Sequence, residues 1–238
     1  MSLNKEEQAR YYDLRFSSFE YANRLQLERA TSILEALRKA DLAKPRILDF
    51  GCGPGWLSNI LNTFGPTVGI DLSPEAIKEA KKQYPGVSFE AVDVFQWNFP
   101  RGAFDVVVSQ EVLEHVDDQP RYLGMAADLL TDRGFLILTT PNAPSMMAMP
   151  EKERIAWSNQ PIENWVTMSE LRALLARNFE LLEMKTITFG IGSLGSYQLV
   201  NSTKLYNTLA RLGLGGSFDR FRSGLGYGLH TVALARKR

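Results

Sequence analysis

Cysteine and histidine are scarce in this 238-residue sequence, which contains one cysteine and two histidines. The single cysteine, Cys52, cannot form an internal disulfide, and its isolation excludes a zinc site built from several cysteines. No stretch reaches the ~18 consecutive apolar residues that a membrane-spanning helix needs. The polar N-terminal stretch MSLNKEEQARYYDLRF lacks the apolar centre of a secretory signal peptide. These absences indicate a cytoplasmic protein without stable membrane insertion.

An excess of charge is also absent, because 27 Lys and Arg residues balance 27 Asp and Glu residues. A neutral chain lacks the general electrostatic attraction that holds nucleic acid, so we expect no nucleic-acid partner. Hydrophobic residues make up 45% of the chain and charged residues 23%, as in an ordinary globular protein with a sizeable core.

Apolar runs of strand length alternate with amphipathic stretches of helix length. Helical spacing of apolar residues predicts a long helix over residues 20–40. Ser73, Pro74 and Glu75 form a typical helix start, with a hydroxyl cap, a proline at the first helical position and an acid in the first turn. The predicted strands are RILDF, TVGID, VSFEAVDV, FDVVVSQ and GFLILTT, and the predicted helices between them are GWLSNILNTFG, SPEAIKEAKKQYP and QPRYLGMAADLLT. This alternation predicts an α/β fold with a parallel sheet covered by helices.

The pattern changes after Asn142, where an irregular segment rich in methionine and tryptophan begins. It is followed by a helix, TMSELRALLARN, and by two strands, FELLEMKTITFG and GLHTVALARK, which we expect to pair across a helical insertion at 191–225. We therefore predict a single domain, 1–238, with a ligand-binding core over 45–142 and a cover with the final strands over 143–238. The insertion and the Met-rich loop form the candidate lid over a substrate.

The glycine-rich stretch GCGPG directly follows the first predicted strand, and three interpretations compete for it. It is a tight turn without a ligand, a dinucleotide-binding loop, or the floor of a site for a ligand without a phosphate. A nicotinamide fingerprint requires a third glycine where this sequence has Trp56, and the Lys-Ser/Thr ending of a triphosphate loop is missing. An amino-acid ligand with a sulfonium group needs only close backbone approach and hydrogen bonds.

One acid lies at the end of each of three successive predicted strands, at the edge of the sheet where such folds bind ligands. Asp49 is placed to hold an ammonium group directly or through water, and Asp71 to accept from both hydroxyls of a ribose. Asp93 is placed to accept from an adenine amino group, with the backbone N–H of Val94 beside it. Three acids in this order favour a sulfonium nucleoside over a bare turn or a dinucleotide.

Five segments resemble, in order, the signature of class I S-adenosylmethionine-dependent methyltransferases, within their small-molecule branch that includes ubiquinone-biosynthesis O-methyltransferases. These segments are ILDFGCGPGWLS, VGIDLS, EAVDVFQW, FDVVVSQEVLEHV and LLTDRGFLILTTPN, which together span about residues 46–142. The resemblance implies a doubly wound, mostly parallel seven-stranded Rossmann-like sheet with helices on both faces. It also implies an antiparallel last strand, with the helical insertion before it.

The resemblance implies S-adenosyl-L-methionine as the cofactor and assigns residues to its parts. The methionine part would lie among Asp49, Gly51, Cys52, Gly53 and Gly55; the ribose at Asp71 and Leu72; the adenine at Asp93 and Val94; and the sulfonium end beside Gln110. An N-terminal aromatic, Tyr12, would close over the cofactor, although Tyr11 and Tyr12 fit equally well as a pair that packs the first helix on the core.

The acceptor is predicted to be a small molecule that is methylated on oxygen. The segment SQEVLEH contains neither the N/D-P-P-Y/F pattern used on amino groups nor a cysteine for attack on a pyrimidine. His115 is the candidate general base, with a structural role in the following helix as the alternative. His230 is predicted to be structural. Glu111, Glu114 and His115 have the spacing of a divalent-ion site, but we favour surface charge and predict no metal.

Two apolar groups in the C-terminal part have alternative roles. Trp157, Trp165 and the methionines 146, 147 and 149 would line an acceptor pocket or belong to the core. The insertion carries a broad apolar face, for which the alternatives are a membrane holding a lipid substrate, a homodimer contact, and packing against the sheet. Its residues are Leu199, Val200, Leu205, Tyr206, Leu209 and Leu212.

The leading hypothesis is therefore S-adenosylmethionine-dependent methyl transfer to a small molecule. A protein that binds this cofactor or its product without catalysis, as a sensor or partner subunit, is the alternative, because the strand-end acids predict binding and not turnover. A nicotinamide-dependent oxidoreductase is a third hypothesis, which Trp56 opposes.

Overall fold

The computed structural model describes residues 23–96, 100–157, 160, 162–192 and 194–238. Its strands form one seven-stranded sheet in the order β3-β2-β1-β4-β5-β7-β6. The strands are β1 (Ile47–Phe50), β2 (Thr67–Asp71), β3 (Ser88–Ala91), β4 (Phe104–Gln110), β5 (Leu130–Pro141), β6 (Phe179–Ile187) and β7 (His230–Lys237).

The first five strands are parallel to one another, whereas β7 is antiparallel to both of its neighbours, β5 and β6. The two final strands pair across the insertion, as predicted, with Ile187 of β6 opposite His230 of β7. The mixed sheet confirms the fold class that the sequence predicts. Strands from both predicted parts, 45–142 and 143–238, join the same sheet, and the division between those parts stays a prediction.

Helices lie on both faces of this sheet. They are α1 (Arg24–Lys39), α2 (Trp56–Leu61), α3 (Pro74–Gln83), α4 (Gln119–Leu129), α5 (Ala143–Met147), α6 (Glu151–Trp157), α7 (Met168–Leu175), α8 (Ser196–Val200), α9 (Thr203–Arg211) and α10 (Gly215–Gly224), with a 3-10 turn at Leu113–His115. Among the residues described, no helix is both long enough and apolar enough to cross a membrane.

The core is divided in two because successive side chains of a strand point to opposite faces of the sheet. On one face, Leu48 and Val107 pack with α4 and α7. On the other, Ile47 and Val106 pack with α1 and α2. Strands buried on both faces are continuously apolar, which is why the short run RILDF signals a central strand.

The predicted helix starts agree with the caps that form. Ser73 accepts a hydrogen bond from the N–H of Ala76, with Pro74 in the first turn of α3. The first helix begins at Arg24, where Asn23 and Gln26 form a reciprocal capping box, rather than at residue 20. Residues 20–22 of the predicted helix lie outside the described part of the chain.

Several strand boundaries differ from the sequence prediction, and strand pairing explains two of them. The third strand ends at Ala91 instead of residue 94, because β2 is its sole partner in the sheet and their pairing stops at Asp71. The fifth strand begins at Leu130, before the predicted residue 134, because Leu130 pairs with Phe104 ahead of an irregularity at Arg133, whose φ is 64°. The local pattern of apolar and polar residues does not show where the pairing between two strands begins or ends.

Candidate functional site

The loop after β1 requires glycine for two separate reasons. Gly51, Gly53 and Gly55 have φ angles of 86°, 51° and 81°, in the left-handed region that side chains disfavour. A Cβ on Gly51 would lie 2.4 Å from Cγ2 of Val112, and one on Gly55 would lie 2.6 Å from Cζ of Phe89. Gly51 and Gly55 therefore pack closely against Val112 and Phe89, and neither position has room for a side chain.

Asp71, the last residue of β2, holds this loop in place. One carboxylate oxygen accepts a hydrogen bond from the N–H of Gly53 at 2.8 Å. The other accepts from the N–H of Ser73 at 2.9 Å, so the same side chain also orders the start of α3. Leu72, which lies between Asp71 and Ser73 in the sequence, is half-buried. The ends of β1 and β2 are thus connected through one carboxylate.

Asp49 lies directly behind the loop and is almost completely buried, with 1% of its surface exposed. The hydroxyl of Ser58, on α2, donates to its carboxylate at 2.6 Å. Burial raises the pKa of Asp49 to about 7, opposed by the Ser58 hydrogen bond and increased further by the nearby charge of Asp71. A cationic group beside Asp49 would relieve this cost, so the chemistry of the site fits an ammonium-bearing ligand.

Cys52 and Val94 turn their side chains toward the protein interior. Cys52 is buried with Ile77 and Phe89, and burial raises the pKa of its thiol well above the ordinary value. Val94 packs against the main core cluster. Any contact of these two residues with a ligand in the loop would therefore come from their backbone.

Asp93 lies two residues beyond β3, and its carboxylate accepts from the N–H of Phe95 at 3.0 Å. It follows the strand next to the one that ends at Asp71, as the sequence predicts. Three acids therefore lie at or just beyond the carboxyl ends of β1, β2 and β3, at one edge of the sheet.

Gln110, the last residue of β4, has a buried side-chain nitrogen that forms no hydrogen bond within the described part of the chain. A buried amide without a partner costs free energy, and such groups in proteins are usually satisfied by a ligand or water. Its position at the end of the strand beside β1 places this donor on the same edge as the glycine loop. The residues present therefore fit a polar ligand.

His115 lies in the 3-10 turn after β4, where its Nδ1 is 2.8 Å from the carbonyl oxygen of Ile162. A carbonyl oxygen only accepts hydrogen bonds, so Nδ1 carries the hydrogen and the neutral ring keeps its lone pair on Nε2. That Nε2 is 3.6 Å from the carboxyl group of Glu114. Burial and the charge of Glu111 raise the pKa of Glu114 well above its ordinary value, although Thr140 donates a hydrogen bond to it at 2.9 Å.

The segment 162–166 is fastened to this turn by several hydrogen bonds that the sequence did not predict. Asn164 donates from its backbone to the carbonyl of Glu114 at 2.7 Å and from its amide to the carbonyl of Val116 at 3.2 Å. Gln119 donates to the carbonyls of Leu113 and Asn164. Part of the predicted cover is therefore fixed to the turn that contains the candidate base.

Glu111 belongs to a second, separate cluster. Its carboxylate is 3.2 Å from Nε2 of His230 and 3.9 Å from the guanidinium of Arg29, and Thr139 donates to it at 2.9 Å. The charges of His230 and Arg29 outweigh the effect of burial and lower the pKa of Glu111 to about 2. His230 is buried, in agreement with the structural role predicted for it.

The spacing of Glu111, Glu114 and His115 does not bring their side chains to a common point. Glu111 pairs with His230, Glu114 accepts from Thr140, and His115 contacts Ile162. Within the described ranges, no three His, Cys, Asp or Glu side chains are grouped as a metal site. The helical spacing fails as a guide because Glu111 has a φ of 56° and lies before the turn, outside any helix.

Of the candidate pocket residues, Met146 and Met149 are buried with Leu229 and pack against Trp165. The interpretation of these methionines as core is therefore confirmed, whereas Met147 is exposed. The side chain of Trp157, and both Tyr11 and Tyr12, lie outside the described residues.

Residues 21–184 match the family described as "Methyltransferase domain". This chain belongs to that family. The match covers the glycine loop, all three strand-end acids and the turn with His115, and it identifies the chain as a class I S-adenosylmethionine-dependent methyltransferase by family. The resemblance carried by the five sequence segments is thereby confirmed.

Among similar methyltransferases are two that are named ubiquinone biosynthesis O-methyltransferase. The one from Rhodopseudomonas palustris is 37% identical over 102 residues, which cover 41% of this chain and 40% of the relative. The one from Xanthomonas oryzae is 35% identical over 160 residues, which cover 60% of this chain and 65% of the relative. The matched parts span less than two thirds of each of these relatives.

Solved structures extend the likeness to the whole fold. The N-methyltransferase NodS from Bradyrhizobium japonicum, solved with S-adenosyl-L-homocysteine, matches with a TM-score of 0.66 at 16% identity, over 97% of this chain and 98% of NodS. At this identity the comparison shows the shared fold alone. The family match ends at residue 184, before the insertion at 191–225 and the final strand. The structural match to NodS covers 97% of the chain and so extends into both.

Proposed function

We propose that this protein transfers the methyl group of S-adenosyl-L-methionine to a hydroxyl oxygen of a small molecule. The observation that carries the proposal is the arrangement at the carboxyl edge of the sheet. There, Asp71 holds a bare glycine loop, Asp49 is buried behind it, and the unpaired amide of Gln110 lies at the end of the neighbouring strand. The names of the two ubiquinone-biosynthesis relatives support oxygen as the acceptor atom.

In this proposal, residues at and just beyond the carboxyl ends of the first three strands hold the cofactor. Asp49 and the loop glycines Gly51, Gly53 and Gly55 receive the methionine part, whose ammonium neutralises the buried carboxyl group. Asp71 and Leu72 receive the ribose, and Asp93 with the backbone of Val94 receives the adenine. Cys52 takes part through its backbone, and Gln110 donates its free N–H near the sulfonium. Tyr12 remains a proposed cover for the cofactor.

When bound, the cofactor would supply an electrophilic methyl group for in-line attack by the acceptor oxygen, with the C–S bond breaking as the O–C bond forms and S-adenosylhomocysteine leaving. The task of the protein is to orient the acceptor hydroxyl and to remove its proton. His115 suits the second task because its Nδ1 is hydrogen-bonded to Ile162 and its lone pair is on Nε2. The proton of the hydroxyl passes to Nε2, and the fixed ring orientation reduces the reorganisation that this transfer requires.

The decisive experiment uses methyl-labelled S-adenosyl-L-methionine with small phenolic and aliphatic hydroxyl compounds and with fractionated cell extract. We expect labelled product from the wild-type chain and a roughly 100-fold or larger loss of kcat in His115→Gln. Binding of S-adenosylhomocysteine, measured by calorimetry, should stay within about twofold of wild type in that variant, because the proposed base does not hold the cofactor. A base also makes the rate rise with pH, and the variant should lose this dependence.

The same experiment separates an enzyme from a protein that only binds the cofactor. Binding of S-adenosylhomocysteine without labelled product in any fraction would assign the chain to the non-catalytic class. Absence of binding would contradict both assignments. A label found on nitrogen or carbon would retain the enzyme and overturn the proposed acceptor atom.

A further inference from the structure

Helix α9 carries an apolar stripe that the rest of the described chain covers only in part. Leu205, Leu209 and Leu212 occupy positions i, i+4 and i+7, which lie on one face of a helix. No residue of α9 is buried, and Leu212 at its C-terminal end is 68% exposed. Of the alternatives for this apolar face, close packing against the sheet therefore does not account for the exposed residues of α9.

Helix α10 continues this surface with a second stripe. Leu214, Phe218, Phe221 and Leu225 follow the spacing i, i+4, i+7 and i+11 on one face. Phe221 is 56% exposed and Leu225 is 60% exposed, and Phe221 stacks on Phe218 with ring centroids 6.3 Å apart. The two stripes meet at the turn between α9 and α10, where Leu212 and Leu214 are both exposed.

A buried arginine fixes the two helices to each other and to β6. The guanidinium of Arg222 lies 3.9 Å from the ring centroid of Phe189 and 5.0 Å from that of Tyr206 on α9. Thr186 of β6 donates to the carbonyl of Ser223 at 3.0 Å. The exposed stripes are therefore held on an ordered support, and Leu199 of the adjacent α8, which is 71% exposed, extends them.

The charges around these stripes are almost all positive. Residues 191–225 contain four basic residues, Lys204, Arg211, Arg220 and Arg222, and one acid, Asp219, for a net charge of +3 in a chain whose total is zero. Asp219 is paired with Arg222, and Lys204 and Arg211 have no carboxylate partner among the described residues. On a helical wheel, Lys204 and Arg211 flank the same side of the α9 stripe.

An exposed apolar surface bordered by cations matches the surface of an anionic membrane. Apolar side chains of an interfacial helix enter the headgroup boundary, and the flanking Lys and Arg residues contact anionic lipids. A second copy would bring two positively charged surfaces together, which disfavours self-association. The positive charge around the exposed apolar side chains is therefore complementary to an anionic membrane, and it favours the membrane over a second copy of the chain as the binding partner.

We propose that α8, α9 and α10 form a docking surface that binds peripherally to anionic membranes. The surface, named here the apolar helical surface, consists of Leu199, Leu205, Leu212, Leu214, Phe221 and Leu225. It holds the protein on the bilayer without a spanning segment, because α9 and α10 have only nine and ten residues. The methyl acceptor plays no part in this binding.

The test is sedimentation of the full chain with vesicles of phosphatidylcholine, with and without added phosphatidylglycerol. We expect binding to the mixed vesicles, at least tenfold weaker binding to pure phosphatidylcholine, and a decrease as salt is added. Leu212→Asp and Phe221→Asp should each weaken binding about tenfold or more, because each replaces an inserted apolar side chain by a charge. Lys204→Gln with Arg211→Gln should weaken it by roughly 25-fold, or about fivefold for each cation.

The matched control is Leu182→Asp, an exposed leucine on β6 away from these helices, which should bind vesicles as the wild type does. Unchanged calorimetric binding of S-adenosylhomocysteine in every variant shows that the fold is retained. Absence of vesicle binding by the wild type, or equal binding to both vesicle types, would overturn the proposal. A dimer in solution that Leu212→Asp dissociates, without vesicle binding, would assign the surface to a second copy instead.

Discussion

The carboxylate of Asp71 accepts a hydrogen bond from the backbone N–H of Gly53 at 2.8 Å, so the end of β2 holds the loop that follows β1. This bond joins two segments that are adjacent in the sheet and 18 residues apart in the chain. Because the bond is made by the protein's own groups, it holds the loop in its bent conformation and reduces the entropic cost of binding a ligand.

Replacement of Asp71 should weaken cofactor binding, and the effect should be larger when both of its hydrogen-bond-accepting oxygens are removed than when one is. Asp71→Asn keeps one oxygen for Gly53 or a ribose, and we expect about tenfold weaker binding of S-adenosylhomocysteine; Asp71→Ala should cost about 100-fold. Calorimetry measures both, with Asp132→Asn, an exposed acid on β5, as the control. Equal affinity of wild type and Asp71→Ala would remove Asp71 from the site.

The buried Asp49 predicts a pH-dependent stability. Its pKa of about 7 lies above the ordinary value of 3.8, so the folded state binds the extra proton between these pH values and loses stability as the pH rises through them. Asp49→Asn should therefore raise the free energy of unfolding at pH 8 by up to roughly 4 kcal/mol, with a gain that shrinks toward pH 4. It should also weaken binding of the ammonium-bearing cofactor.

Urea unfolding of the cofactor-free protein at several pH values measures this effect. Ser58→Ala is the second variant to measure, because it keeps the carboxyl group of Asp49 and removes the hydroxyl that donates a hydrogen bond to it. If the wild type and Asp49→Asn show the same dependence on pH, the titration of Asp49 is not coupled to folding.

The glycine loop allows a matched pair of substitutions. Gly55→Ala places a Cβ 2.6 Å from Phe89 and 2.9 Å from Ala80, at a φ of 81°. We expect it to lower the free energy of unfolding by about 2 kcal/mol or more and to weaken cofactor binding. Gly86→Ala is the control, because an added Cβ there meets nothing within 4 Å. Thermal unfolding and calorimetry distinguish the two, and similar values for both would contradict the packing argument.

Glu111 predicts a pH dependence of the opposite sign. Its folded pKa of about 2 lies below the ordinary 4.5, so its pairing with His230 and Arg29 stabilises the protein above pH 4.5 and is lost as the pH falls toward 2. Glu111→Gln should lower the free energy of unfolding at pH 7 by roughly 3 kcal/mol, and by little near pH 2. Chemical unfolding at both pH values tests this, with the exposed Glu75→Gln as the control that should change neither.

The alternation of strands and helices and the positions of the strand-end acids were predictable from the sequence. The strand Ile47–Phe50 is covered on both faces and is apolar except for Asp49, and Ser73 with Pro74 marks a helix start through local hydrogen bonding and a fixed φ. The boundary of β3 was not predictable from local pattern, because it depends on where β2 stops pairing with it.

The contacts of the two histidines show the limit of sequence interpretation most clearly. His115 bonds to Ile162, 47 residues away, and His230 contacts Arg29, 201 residues away. The sequence contained one indication of the buried contacts of Glu111 and Glu114. The polar Thr139 and Thr140 at the end of β5 donate hydrogen bonds to these two carboxyl groups. For Glu111, Glu114 and His115 we favoured surface charge over an ion site, and this is wrong for Glu114, which is buried at 1% exposure. Their helical spacing did not apply because the backbone at Glu111 is left-handed.

By itself, the sequence determined the glycine loop and the strand-end acids, because tight turns, helix caps and buried strands depend on neighbouring residues. The tertiary structure decided what each polar side chain contacts and which apolar side chains stay exposed. Leu205 and Leu212 fit a helix packed on a sheet as well as one facing solvent, since periodicity defines a face without naming its partner. Only the packing of α9 and α10 around Arg222 determined that this face points outward.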